Sequence, residues 1–151
     1  MRRAWPFAAL SLAASPLSAK EAQWPSGIYG NVRMSAETGD LGGLEARFYD
    51  RGGKHMVEYV LCEGWCNETT IAELRRDGEE FAFDGVVYYF TDGERTPETQ
   101  HIRLRPKGRT FVATIGTGED GWKIGTIKPA KEAFGLAVAR GEEEAAGHAP
   151  D

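Results

Sequence analysis

Turn signals divide this chain more sharply than any long periodic run. Such signals come about every 8–14 residues along much of it, among them Gly52-Gly53, Asp77-Gly78, Asp84-Gly85, Asp92-Gly93, Lys107-Gly108 and "GTGEDG" (116–121). Between them apolar and polar residues alternate. In 44–50, Leu44, Ala46 and Phe48 fall on one face and Glu45, Arg47 and Tyr49 on the other. In 54–62, Val57, Tyr59 and Leu61 oppose Met56, Glu58 and Val60. Ile102 with Leu104, and Phe111 with Ala113 and Ile115, repeat the pattern in 99–105 and 109–115. A period of two is that of a strand with one buried face.

Further strands are expected over 27–35, 67–76, 79–83, 86–91 and 122–127, the last through Trp122 and Ile124. Segment 67–76 alternates weakly, with Ala72 and Leu74 against Ile71 and Glu73; its strand neighbours favour strand over a short helix. Asp84-Gly85 is either a two-residue turn or a bulge inside one long strand, and 92–98 reads as a polar loop. Short links make successive strands antiparallel neighbours, and closing a sheet of about eight strands removes its unpaired edges. The expected fold is therefore all-β, a small up-and-down antiparallel barrel or strongly curved sheet. A two-sheet sandwich is the alternative.

After Ile127 a short helix is expected, with Pro129 in its first turn, where a missing N–H costs nothing. Phe134, Ala137 and Val138 would form its apolar stripe and let it plug or flank one barrel end. The charged, small residues of 141–151 read as a disordered acidic tail. At the other end, residues 1–19 have a basic start (Arg2, Arg3), an apolar stretch and small terminal residues. This is the layout of a signal peptide cut after Ala19. The domain organisation is then 1–19 signal peptide, 20–140 single β domain and 141–151 tail, in a periplasmic or secreted protein. Without Arg2 and Arg3 the chain keeps 16 basic and 23 acidic residues, a net charge of −7. That balance disfavours nucleic acid and anionic membranes as partners, and no second apolar run approaches spanning length.

Both cysteines lie in "LCEGWCNETT" (61–70). A zinc site needs about four ligands, but His55, His101 and His148 are scattered along the chain. A redox motif would space the cysteines by two and open a helix. A strand that ends at Cys62, turns through Glu63-Gly64-Trp65 and resumes at Cys66 brings the two sulfurs across a hairpin. Opposed Cα atoms there lie ~4.5–5.5 Å apart, a separation that a disulfide accepts. An exported chain meets the oxidising compartment such a bond needs. Closing so short a loop stabilises the fold by only ~2 kcal/mol, so the bond chiefly shapes the loop that presents Trp65.

Catalytic chemistry is poorly supplied. Only Ser26 and Ser35 follow residue 19, too thin an inventory for a Ser-His-Asp enzyme, and a disulfide leaves no thiol nucleophile. "GTGEDG" matches a dinucleotide fingerprint by spacing, but a strand follows it and Glu119-Asp120 would repel a pyrophosphate. Paired carboxylates fall at turns and in the tail, as solvated charge does. His101, Arg103 and Arg105 share one strand face, either a solvated outer wall or a rim suited to an acidic partner. No enzyme activity, metal or cofactor is expected.

The aromatic-Gly opening "WPSGIYG" (24–30), followed by meandering strands over nearly all of the remaining chain, resembles lipocalin- and avidin-like small barrels. The third position of Gly27-Ile28-Tyr29 holds tyrosine where the lipocalin opening has tryptophan. The resemblance implies a binding barrel rather than a catalyst. Aromatic residues on the strands, Tyr49, Tyr59, Phe81, Phe83 and Tyr88 to Phe90, suit a small apolar or amphipathic ligand. The alternative is a protein-interaction or inhibitor module acting through loop 62–66, with an envelope protein as partner. Contact residues are expected among Trp65, Tyr59, Tyr88 and Arg103.

Overall fold

In the computed structural model, described for residues 22–116 and 121–147, the chain forms a nearly closed, barrel-like antiparallel sheet with one C-terminal helix. The expected signal peptide (1–19), most of "GTGEDG" and residues 148–151 lie outside the described residues. The strands are β1 (Gly27–Gly30), β2 (Arg33–Met34), β3 (Leu41–Arg51), β4 (Lys54–Gly64), β5 (Thr70–Glu73), β6 (Arg75–Asp77), β7 (Glu80–Thr91), β8 (Glu94–Lys107), β9 (Thr110–Ile115) and β10 (Trp122–Ala130). Nine follow one hydrogen-bonded path, β5-β4-β3-β1-β10-β9-β8-β7-β6, and β2 pairs only with β3. The expected barrel is thus the fold, and the sandwich alternative is set aside. Among the described residues no helix is long and apolar enough to cross a membrane.

The alternating faces fall as their pattern requires. Leu44, Ala46, Phe48, Val57, Tyr59, Ile102, Leu104, Phe111 and Ala113 point into one core. Phe81, Phe83 and Ile127 complete it. Ring contacts run through the bore, Tyr29 against Phe111 at 5.1 Å and Tyr59 against Phe83 at 5.0 Å between centroids. The end beside the β3–β4 turn is packed over by Trp24, which stacks on His55 at 3.8 Å and lies under the Arg76 guanidinium at 4.9 Å. The Arg76 side chain also donates to the Ala22 carbonyl at 2.6 Å, tying down the segment that carries Trp24.

Several expectations are corrected. Asp84-Gly85 is neither turn nor bulge, because β7 pairs with β8 in unbroken register from Phe81↔Leu104 to Thr91↔Glu94. The turn is at Asp92-Gly93, and residues 94–98, expected as loop, are strand. The glycine at 85 answers a packing need, because a Cβ there would meet the Tyr59 hydroxyl at 1.7 Å. Segment 67–76 splits around buried Leu74, whose N–H donates to the His55 carbonyl at 2.8 Å. The resulting strands, β5 and β6, end opposite edges of the sheet. Pro129 lies in β10 opposite Tyr29, not in a helix.

The helix, α1 (Gly135–Gly147), starts later than expected and runs into the supposed tail. It does not plug a barrel end. Leu136 and Ala139 pack it on the outer face of β3 and β4, against Leu41, Val60 and both cysteines. Phe134 and Ala137, expected in the apolar stripe, are exposed, and only Val138 joins the contact. The approach is close enough that a Cβ at Gly135 would lie 3.2 Å from Val60 and 3.4 Å from the Cys62 sulfur.

Two carboxylates on the outer wall hold this helix. Glu45, 3% exposed, accepts from the N–H of Phe134 at 3.0 Å and of Leu136 at 2.8 Å, so a side chain from β3 caps α1. Its negative charge also suits the positive end of the helix dipole. Glu58 takes the Arg140 guanidinium through both oxygens, at 2.7 and 2.8 Å, and Arg47 at 2.6 Å. Replacing Glu45 by alanine strands two inward-facing N–H groups. The expected cost is about 1–2 kcal/mol of unfolding free energy. A lowered urea midpoint and earlier proteolysis within 135–147 check it. Gly85→Ala is expected to cost on the order of 2–3 kcal/mol through overpacking, again read from the urea midpoint.

Candidate functional site

Beside Trp24 lies an open cleft of about 410 Å³ against Pro25, Tyr29, Arg109 and Phe111. The filled bore leaves a cavity at the end opposite Trp24, where β4 finishes and the β7–β8 hairpin rises. This mouth has two lobes that share Glu63, Tyr89 and Gln100. One, of about 300 Å³, lies against Tyr59, Leu61, Thr70, Val87 and Tyr88. The other, of about 260 Å³, lies against Glu98, Ile115 and Trp122. A larger open groove of about 780 Å³ runs outside the wall, where β2 and the start of β10 diverge above the Gly30↔Lys128 pair. Glycines and small polar residues dominate it, with Leu41 and Ile124 as its apolar side chains. The mouth, not the groove, gathers aromatic rings around a few placed polar atoms, as small-ligand sites do.

Alternation explains which residues reach the mouth. Beyond the core positions Phe81 and Phe83, the inward side of β7 continues through Gly85, Val87 and Tyr89. Beyond Leu104 and Ile102, the inward side of β8 continues through Gln100 and Glu98. Tyr59 crosses the bore from β4 into the space left by Gly85, and its hydroxyl donates to Gln100 Oε1 at 3.2 Å. Gln100, 5% exposed, therefore forms the polar floor. Burial is the main cause that pushes the Tyr59 phenol up to about 12, partly offset by a hydrogen bond with Thr70. The Tyr89 phenol is also raised, first by burial and then by the Glu63 carboxylate; a bond with Gln100 opposes this and Glu98 adds to it.

The four residues expected to make contacts are only partly brought together. Tyr59 and Tyr88 both border the larger lobe. Tyr88 also stands under Arg95, whose guanidinium is 3.8 Å from the ring centroid and 3.7 Å from Glu68. Arg103 faces the outer wall, bonded to Glu80 at 3.0 Å and near Asp77 at 3.5 Å. His101 on the same face bonds Asp84 at 2.6 Å, and Arg75 bonds Asp84 at 2.7 Å. The Arg75 contact, helped by His101, holds the Asp84 carboxyl below the usual carboxylate range. Arg103 and His101 thus belong to an ion-pair ladder on the solvated face.

Cys62 and Cys66 form the expected disulfide, with Cα atoms 4.4 Å apart. Gly64 takes the left-handed conformation that the turn requires (φ 85°), and the Glu63 N–H donates to the Trp65 carbonyl at 3.2 Å. Trp65, 39% exposed, donates its indole N–H to Glu142 on α1 at 3.2 Å. The loop is therefore joined to the helix above the buried sulfurs.

No family model, curated protein or solved structure matches the chain. The mouth residues missed in the sequence, Glu63, Glu98, Gln100 and Trp122, had one available signal. They continue the inward register of β8 or stand at the ends of β4 and β10. The buried phenol offers a direct check. Its folded value lies above the ordinary value of about 10, so the fold's preference for neutral Tyr59 is fully present below about pH 10 and is lost as pH rises toward 12. An absorbance titration is expected to show a last phenol step near pH 12 that Tyr59→Phe removes. The same variant should flatten the loss of stability between those pH values.

Proposed function

We propose that the protein is an exported, non-catalytic binding module that takes a small amphipathic ligand at the barrel mouth. One observation carries the reading: the bore is filled, and Trp24 packs over one end of it. At the other, Tyr59, Tyr89 and Trp122 border the lobes that share the buried amide of Gln100, with Tyr88 on the rim of the larger one. Rings offer apolar contact area at low conformational cost, while the amide and phenols orient a polar group. The thin supply of nucleophiles in the sequence supports binding over catalysis. The disulfide and the signal-peptide layout of residues 1–19 support an oxidising, exported setting. Against the alternative reading, an interaction module built on loop 62–66, the Trp65 indole N–H is already engaged by the chain's own helix.

Titration with the fluorescent probe N-phenyl-1-naphthylamine tests the mouth. A saturable one-to-one rise in emission is expected. Tyr89→Ala and Trp122→Ala should each weaken it by about fivefold or more, as loss of a contacting ring does. Trp65→Ala should leave it unchanged. A dark probe, or binding that follows Trp65 rather than Tyr89, overturns the reading.

A further inference from the structure

The lining of the smaller lobe carries a charge signature that the aromatic rings alone do not explain. Glu63 enters from the end of β4 and Glu98 from β8, on either side of Tyr89, and neither has an ion-pair partner among the described residues. Both carboxylates raise the Tyr89 phenol, so both act on the same small space. No lysine or arginine lines either lobe among the described residues. Arg95 borders the larger lobe through Tyr88 and Glu68, and is already engaged by that ring and that carboxylate. The His101 ring is likewise spent on Asp84. What remains along this lobe is two solvent-exposed carboxylates without an ion pair among the described residues, the exposed rings of Tyr89 and Trp122, and an apolar wall from Ile115.

We propose that the ligand's polar group is cationic: the smaller lobe accepts an organic ammonium head, with the ligand's apolar part lying toward Leu61 and Val87 in the larger lobe. Three effects act together there. Aromatic faces attract a cation through their quadrupole, and more strongly when the cation is partly desolvated. Two carboxylates on the rim of one concave mouth add fields of the same sign over that mouth. An anionic head would meet both carboxylates with no cation to receive it. Gln100 and the phenols supply acceptor oxygens that an ammonium N–H can use. This inference rests on the mouth being the binding site, and the test separates the two.

The probes are benzyltrimethylammonium and its uncharged isostere neopentylbenzene, which differ by nitrogen for carbon at one atom. Binding to the full exported chain is followed by tryptophan fluorescence and by chemical-shift changes at Tyr89 and Trp122. The cation is expected to bind about tenfold or more tighter than the isostere. The Glu63→Gln, Glu98→Gln double variant should remove most of that difference while leaving the isostere's affinity and the circular dichroism spectrum unchanged. Trp122→Ala should weaken the cation more than the isostere. Equal binding of the two probes, or a preference that survives the double variant, overturns the cationic assignment and leaves the mouth reading standing. Binding of neither probe, or shifts confined to residues away from the mouth, overturns both.

Discussion

Four residues of β1 carry the closure of this barrel. Gly27 to Gly30 pair with β3 on one side, and Ile28 to Gly30 pair with β10 on the other. One half of the wall is thereby joined to the other, which β10 begins. Without that pairing both halves would present long unpaired edges, the usual route to strand addition between molecules. The join is short because β1 gives way after Gly30. Asn31 then binds Leu44 twice, through its backbone N–H at 3.0 Å and its side-chain oxygen at 2.8 Å. Arg33 and Met34 continue along β3 alone, and the wall opens into the outer groove. The opposite seam, between β5 and β7, has no ladder, and the Leu74 N–H bond to His55 anchors the chain where it passes from one edge to the other.

Closure at this circumference decides where function can reside. The bore is wide enough for one layer of rings, and Phe48, Phe81, Phe83, Phe111 and Tyr59 occupy it. A ligand cannot enter the middle of such a core without displacing packed side chains, at a cost of kilocalories for each. At one end Trp24 packs over the bore, with an open cleft beside it against Tyr29, Arg109 and Phe111. The proposed recognition site is on the other rim, where the strands outrun the core. There the β7–β8 hairpin projects far enough that Glu94 to Thr99 are exposed on both faces.

The clean alternation of β3, β4, β8 and β9 placed nearly every core residue correctly, because a buried face leaves a period-two record in the sequence. What failed was punctuation. Asp84-Gly85 carries the residue types of a hairpin turn, yet its glycine is required by Tyr59 reaching across from a strand 26 positions earlier. Such a contact leaves no local trace. The outer face of β4 was equally deceptive. Glu58 and Val60 look like an ordinary solvent face, but α1 covers them, because Glu45 and Glu58 supply the helix with a cap and an arginine partner. The candidate site lay between these extremes. Tyr59 and Tyr88 were recognisable as aromatic supply. Gln100, Glu63 and Glu98 were not, because a polar residue in inward register reads as solvated until the end of the core is known.

The cysteines have a structural role that their spacing alone did not suggest. Glu63 stands directly after Cys62, within the five-residue ring that the disulfide closes. That ring is held in turn by α1 through the Trp65 indole and through the buried sulfurs. One wall of the mouth is therefore braced by a covalent bond, a capped helix and a bidentate ion pair. The facing wall is the β7–β8 hairpin, linked across the larger lobe by the Arg95–Glu68 contact. A braced carboxylate is worth more to a binding site than a free one, because less conformational entropy is lost when a ligand engages it. The staple, the helix and the outer carboxylates thus lie outside the barrel, but their mechanical consequence is felt at Glu63, on the rim of the proposed binding site.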